Sequence, residues 1–252
     1  MGTRKLHFML NQRLTEHKIA VGRDHLFDLL ARYKLLIRTR RRKAITTDSR
    51  HWMRKYENLI REIKLDGADQ LWVSDITYIR LMNGFIYLSL ITDAYSRKII
   101  GYSLRKDLNA TGCIEALQMA LTNRILQSKP LIHHSDRGSQ YCCKEYVALL
   151  RENNIIISMT NNGDPYENSI AERVNGILKS EFSLYGSQHG FEQTARLVEN
   201  SIASYNEIRP HSSCEYLTPE QAHRKKGRLE RKWKNYPRSL LLTHKFEKND
   251  PV

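Results

Sequence analysis

Between Leu71 and Leu104 three strand-forming segments follow one another with almost nothing between them, and this constrains the fold more than any other stretch. LWVSDITYIRL (Leu71–Leu81) is rich in β-formers, Met82-Asn83-Gly84 is a turn, and FIYLSLIT (Phe85–Thr92) is a nearly continuous apolar strand. Asp93–Arg97 reads as a second turn and Lys98–Leu104 as a third strand. Connections this short only allow antiparallel neighbours. The pattern then changes. Asn109–Ile125 is helical, with Ile114, Leu117, Ala120 and Leu121 on one face. A short strand (Leu131–Ser135), a helix (Lys144–Glu152) and a buried strand (Ile155–Thr160) follow. Three strands, then helix, strand, helix, strand predict an α/β fold: a mixed five-stranded sheet flanked by helices. Helical periodicity resumes over Ser169–Phe182 and over Glu192–Ile208, the latter carrying Ala195, Leu197, Val198, Ile202 and Tyr205. From about Arg209 the chain reads as basic and irregular.

The flanks differ from this core. Residues 1–37 read as a small helical segment, with Gly22-Arg23-Asp24 before a run in which Leu26, Phe27, Leu29, Leu30 and Tyr33 fall at helical spacing. This fits a helix-turn-helix DNA-binding unit and a plain helical hairpin equally. RTRRRK at 38–43 cannot pack in a core and suits the phosphate backbone, which makes Arg40, Arg41 and Arg42 candidate DNA contacts. Residues 44–70 continue as a tether, with Trp52, Met53, Tyr56 and Leu59 as anchors. The expected division is a helical segment at 1–37, a basic linker at 38–66, a core at 67–222 and a basic tail at 223–252. The 41 Lys and Arg against 27 Asp and Glu give a formal charge of +14, which points to a polyanionic partner such as nucleic acid.

Composition excludes several classes. Cys113, Cys142, Cys143 and Cys214 form no CxxC pair, so neither a zinc site nor a disulfide framework is expected, and reduced thiols suit the cytoplasm. No apolar run reaches the about 20 residues that span a bilayer, and no signal-peptide core opens the chain, so no membrane partner is expected. Neither glycine fingerprint of nucleotide-binding folds is present.

Three acids stand out by context. Asp75 sits inside an apolar strand, where an unpaired charge is costly unless it binds a metal. Asp136 follows the strand LIHHS as the chain leaves the sheet, with Gly138 beside it, and sites in such sheets gather at strand carboxyl ends. Glu172 comes 36 positions after Asp136, at the start of a helix. Hard carboxylate oxygens suit magnesium, and two such ions roughly 3.5–4 Å apart can serve both the attacking and the leaving oxygen of a phosphoryl transfer. Asp93, Asp107 and Asp164 read as turn or cap residues.

LWVSDITYI, LIHHSDRGSQY, GDPYENSIAERVNGILKSE and YNEIRPHSSCEYLTPEQAH together resemble the catalytic subunit of bacterial insertion-sequence transposases of the DDE type, relatives of retroviral integrases. TTDSRHWMRKYENLI and VGRDHLFDLLARYKLLI also look like the family, so the likeness covers nearly the whole chain. The resemblance implies a ribonuclease-H-like core and magnesium-dependent strand cleavage and strand transfer at the ends of a mobile element. It implies Asp75, Asp136 and Glu172 as ligands of two Mg²⁺ ions, with Mn²⁺ as a substitute. It implies contact between Lys179 and the element's terminal DNA; Lys179 lies seven positions after Glu172, on the same helical face. Asn168 could steady Glu172, touch phosphate or cap the helix. Asn206, Arg209 and His211 belong to a family motif that fits packing at the end of the core or catalysis. His134 shares a strand face with Asp136, whereas His133 faces the other side. Implied partners are double-stranded DNA (element ends and target), further copies of the chain on that DNA, and a small upstream helix-turn-helix subunit. Two departures stand out. No cysteine precedes Cys113, so the zinc domain of retroviral integrases is absent, and relatives usually carry a helix upstream of Met1, which suggests truncation. A catalytically inactive element-end binder and a ribonuclease-H-type nuclease are the alternative readings.

Overall fold

The computed structural model describes residues 1–37, 51–125, 129–161, 168–184 and 189–232. Along the chain these form α1 (Thr3–Glu16), α2 (Arg23–Arg32), β1 (Leu71–Leu81), β2 (Gly84–Asp93), β3 (Ile99–Arg105), α3 (Ala110–Thr122), β4 (Leu131–Ser135), α4 (Ser139–Cys142), α5 (Lys144–Glu152), β5 (Ile155–Met159), α6 (Ser169–Glu181), α7 (Phe191–Glu207) and α8 (Pro219–His223). The run RTRRRK at 38–43, with Arg40, Arg41 and Arg42, lies outside the described residues, as does Asp164.

The short connections do what they must. β1 and β2 pair antiparallel from Trp72 with Asp93 to Leu81 with Gly84, whose positive φ of 116° closes the hairpin. β3 adds antiparallel to β2, with a register shift at Ile91/Thr92. β4 crosses over through α3 to lie parallel to β1, and β5 lies parallel to β4, giving the order β3-β2-β1-β4-β5. This is the mixed five-stranded sheet that the sequence predicts, and β1 is its centre.

Strand alternation sends β1 side chains to the two larger apolar clusters, with Leu71 and Val73 in a third, smaller one. Trp72 and Ile76 join Cys113, Ala116, Leu117 and Ala120 of α3, Tyr146 and Leu150 of α5, and Met159. Ile79 and Leu81 join Val174, Ile177 and Leu178 of α6 and Val198, Ile202 and Tyr205 of α7. Asp75 shares the parity of Ile79 and so belongs to the α6 side. The layers are close: a Cβ built on Gly101 of β3 would lie 2.1 Å from the Ala116 carbonyl oxygen of α3 and 2.9 Å from Ala120 Cβ.

The tether at 51–60 runs along the β5 edge. Met159 N donates to Glu57 O (3.2 Å) and Leu59 N to Ser158 Oγ (2.9 Å), which covers an edge that would otherwise be open. Of its expected anchors, Met53 and Tyr56 pack on the first cluster. Trp52, 94% exposed, and Leu59, 42% exposed, do not anchor it. The four residues of α4 were not foreseen, because one helical turn is too short to show a period.

Residues 210–232 are ordered rather than irregular. Arg209 is 1% exposed and grips Glu181 with two bonds of 2.6 and 2.8 Å. Burial alone would raise the Glu181 carboxyl, but the guanidinium holds it below its ordinary value. Asn206 clamps β3 by donating to Ile99 O and accepting from Ile99 N, both at 2.9 Å. α8 opens with a reciprocal capping box between Thr218 and Gln221 and Pro219 in its first turn. His223 places Nδ1 3.0 Å from Ser96 Oγ, which donates to the buried Asp93. Asp93 is thus part of a buried polar link, and Asp107 caps the approach to α3 by accepting from Asn109 N. The chain ends its described course bonded to the core, with Gly227 N on Asp66 O and Lys232 N on Ser212 O.

At the other end, Phe8 of α1 stacks on Tyr216 with centroids 4.6 Å apart. Within α2 only Leu26 is buried, while Phe27 and Tyr33 stand exposed. Among the described residues, no helix is long and apolar enough to cross a membrane.

Gly101→Ala tests the sheet–helix contact. Overpacking costs typically about 1–3 kcal/mol, and the neighbour struck here is backbone. The melting temperature should fall by about 6–12 °C, the equivalent of roughly 3 kcal/mol in a domain of this size. An unchanged melting curve would show that α3 can move off β3.

Candidate active site

Asp75 and Asp136 meet because β1 and β4 are parallel neighbours, in register at Val73 and His134. Asp75 projects from the centre of β1, and Asp136 is the first residue beyond β4. Asp75 is partly buried; its Oδ1 accepts from Ile76 N (3.0 Å) and its Oδ2 from Asn175 Nδ2 (2.7 Å). Asp136 Oδ1 accepts from Gly138 N at 2.9 Å, so the glycine after it shapes the turn that presents the carboxylate. Burial pushes the Asp75 carboxyl up to about 7, with the Asp136 charge acting in the same direction, Asn175 opposing and Glu172 adding a further push.

Glu172 lies on the first turn of α6 and is exposed. Among the described residues, no three His, Cys, Asp or Glu side chains stand close enough together to hold one ion. The β1–β4 register sets Asp75 and Asp136 beside each other, and both Asp136 and Glu172 act on Asp75 through their charges. Like-charged carboxylates repel until a cation screens them. The donor chemistry nonetheless suits magnesium, which binds through one or two carboxylates and takes phosphate oxygens for much of the rest of its shell.

α6 is tied to β1 at three points. Asn168 is 6% exposed and donates from Nδ2 to Ser74 O (2.9 Å), one residue before Asp75. It is the N-cap residue but makes no side-chain cap bond. The expected cap at Asn168 is therefore corrected to a buried tie between α6 and β1, because its amide nitrogen donates to the Ser74 carbonyl and not to the start of its own helix. Asn175 is the second tie. Lys179 is the third: its Nζ lies 4.2 Å from the Tyr78 ring centroid. Burial lowers the Lys179 ammonium from its ordinary value, and the Asp75 charge opposes that shift, which places Lys179 on the carboxylate side of the helix.

Asn175 is the residue that sequence reasoning missed. It lies three positions after Glu172, and the spacing argument that singled out Lys179 reaches it equally well. The histidines of LIHHS are internal. His133 Nε2 lies 2.6 Å from Ser74 Oγ and 2.9 Å from Tyr146 Oη, and burial lowers its pKa to about 3. His134 Nδ1 lies 2.9 Å from Ser158 Oγ. His211 is buried and neutral, lowered to about 2 by burial and surrounding cations. With Asn206 and Arg209 it belongs to the packing at the end of the core.

The integrase core domain family matches residues 66–165, and a second integrase core domain description matches 153–219. The chain is 34% identical over 86% of its length to the insertion element IS600 uncharacterized 31 kDa protein of Shigella sonnei, covering 79% of that protein. It is 33% identical over 68% of its length to the transposase for insertion sequence element IS629 of Shigella sonnei, covering 57% of it. It is 37% identical over 69% of its length to transposase InsF for insertion sequence IS3A of Escherichia coli (strain K12), covering 61% of it. The chain thus spans less than two thirds of those two transposases. Among solved structures, a chain of the simian T-cell lymphotropic virus intasome in complex with PP2A regulatory subunit B56 gamma superposes with a TM-score of 0.55 at 19% identity. That match covers 89% of this chain and 75% of the other. The HTLV-2 integrase catalytic core domain in complex with magnesium (trimeric form) gives 0.50 at 19% identity, over 62% of this chain and 97% of that one. These matches show the integrase-type, ribonuclease-H-like fold.

The raised Asp75 carboxyl has a thermodynamic sign. Between about pH 4 and 7 the folded state keeps a proton that the unfolded chain releases, so this group lowers stability as pH climbs through that window and leaves it lowered above. Asp75→Asn removes the effect. At about pH 8, Asp75→Asn should melt at least about 2 °C above wild type without metal, the shift expected from roughly 1 kcal/mol. Mn²⁺ should raise the melting temperature of wild type but not of the variant. A variant less stable than wild type at that pH would refute the electrostatic reading.

Proposed function

Since the chain belongs to the bacterial insertion-sequence transposases with an integrase core domain, we propose that it cuts and joins DNA strands at the ends of an insertion sequence, with Asp75, Asp136 and Glu172 as its metal-binding carboxylates. The observation that carries this reading is the Asp75–Asp136 pair, set side by side by two parallel strands, with α6 bonded to Asp75 through Asn175. The fold shared with an integrase core solved in complex with magnesium supports a divalent cation.

Asp75 and Asp136 would hold the cation between the strand ends, and Glu172 would close on it from the first turn of α6. Bound there, magnesium supplies charge stabilisation for the attacking and leaving oxygens of an in-line phosphoryl transfer. The chain supplies position. Asn175 holds Asp75 in a fixed rotamer, and Asn168 fixes the entry of α6 against β1. Lys179, steered by the Tyr78 ring, offers its ammonium to a DNA phosphate next to the carboxylates. No serine or tyrosine nucleophile is required, because water or a DNA 3′-hydroxyl attacks directly.

The division into a helical segment at 1–37, a basic linker at 38–66, a core at 67–222 and a basic tail at 223–252 belongs to the same proposal. In it, Arg40, Arg41 and Arg42 lie along duplex phosphates. So do action as an oligomer on paired DNA ends, two metal ions, and cooperation with an upstream helix-turn-helix subunit. The rival reading, an inactive element-end binder, keeps the DNA affinity and discards the carboxylates.

Strand joining on a branched DNA with Mn²⁺ separates the two. Wild type should join and Asp136→Asn should not, while both bind the substrate with similar affinity. Binding should weaken with salt at a log–log slope of about −0.9 per phosphate contacted. Equal joining by both proteins would remove Asp136 from catalysis, loss of binding in the variant would make Asp136 structural, and a flat salt response would remove the phosphate channel.

A further inference from the structure

Trp52 is 94% exposed, more than any other large apolar side chain among the described residues. An indole left in water on an otherwise anchored segment is unusual, and its neighbours hold it in place. On one side, His51 Nε2 bonds to Arg137 O (2.8 Å), the carbonyl of the residue immediately after Asp136. On the other, Met53 and Tyr56 pack onto the cluster that contains Tyr141 and Cys142 of α4 and Tyr146 of α5. Arg54 lies 5.2 Å from the centroid of the Tyr56 ring, and Arg151 donates to Tyr56 Oη (3.2 Å). The Cys142 thiol is raised first by burial and then by the Asp136 charge, with Lys55 and Arg137 opposing, so these two cations and Asp136 all sit around α4.

We infer that Trp52 is a stacking platform for an unpaired base of the DNA strand entering the site, with Arg54, Lys55 and Arg137 taking the flanking phosphates. An exposed aromatic ring beside several cations is the arrangement that binds single-stranded nucleic acid without sequence preference, because every base has a π-face. The location fits the chemistry. A strand end freed from its complement, with its base stacked on Trp52, would be held off the duplex next to the turn that presents Asp136. This deepens the proposed DNA-joining function and rests on DNA as the substrate.

The test reads binding in EDTA, so it stands whether or not the carboxylates are catalytic. The chain has three tryptophans. Trp72 is fully buried, so in a Trp233→Phe background the emission that DNA can quench comes from Trp52. An oligothymidine strand should quench it. Trp52→Ala should weaken binding of that strand, and of a branched DNA, by about 5- to 100-fold, with Trp52→Phe keeping most of the affinity and blunt duplex changing by less than about 2-fold. Equal weakening for blunt duplex would make Trp52 part of a general scaffold. Absence of quenching together with unchanged affinity would remove the contact. A concentration-dependent blue shift without DNA, together with self-association in sedimentation that Trp52→Ala abolishes, would assign the indole to a contact with a second copy of the chain. Each of these three results overturns the proposal.

Discussion

A carboxylate on the central strand of a helix-covered sheet is costly, and the arrangement around Asp75 both bears that cost and uses it. β1 is hydrogen-bonded on both sides, antiparallel to β2 and parallel to β4, so it cannot shift to carry Asp75 to solvent. Burial raises the carboxyl, and the parallel pairing adds Asp136 beside it. An amide from α6 offsets part of the penalty. The remainder is an electrostatic cost beside Asp75 that a bound cation, as in the proposed function, would relieve. The fold carries an electrostatic cost at this one place, while the apolar clusters on either face of the sheet supply the stability that tolerates it.

The polar residues of the YNEIRPH segment do a different job. Asn206 completes the hydrogen bonding of β3 where Ile99 needs it, and Arg209 spends its guanidinium on Glu181 at the far end of the helix that carries Glu172. α6 is therefore held at both ends, by Asn168 on β1 and by Glu181 on Arg209. Removing either member of the buried Arg209–Glu181 pair would leave an uncompensated charge, which is more damaging than the pair is stabilising. These residues matter to the site because they fix the helix axis, although none of them touches it.

How much was legible followed from the range of the forces involved. The sheet could be read in advance because apolar alternation and short turns are local: β1, β4 and α5 fall at their expected bounds, the other core strands, α6 and α7 lie within one residue of theirs, and α3 ends three residues early. Asp75 and Asp136 could be singled out because an acid in an apolar strand, or at a strand end before glycine, is locally anomalous. Lys179 could be placed by helical period. Asn175 falls on the same helical face, but the period alone does not say that its amide bonds Asp75, which depends on α6 packing on β1. The order after Arg209 escaped notice for a related reason: its partners, Glu181, Ser96 and Asp66, are distant in sequence.

By itself the sequence determined the class of fold, the run of elements and the acids worth suspecting, since each depends on neighbours within a few positions. The tertiary structure decided which acids meet, that Asn168 ties α6 to β1 instead of capping its helix, and that Trp52 is held in water beside the Asp136 turn. Those outcomes depend on parallel strand pairing and on helices packing across the sheet, and such contacts join residues up to about a hundred positions apart, as Asn175 and Asp75 are. Periodicity reports which face of an element is apolar. It carries no information about which distant element will cover that face.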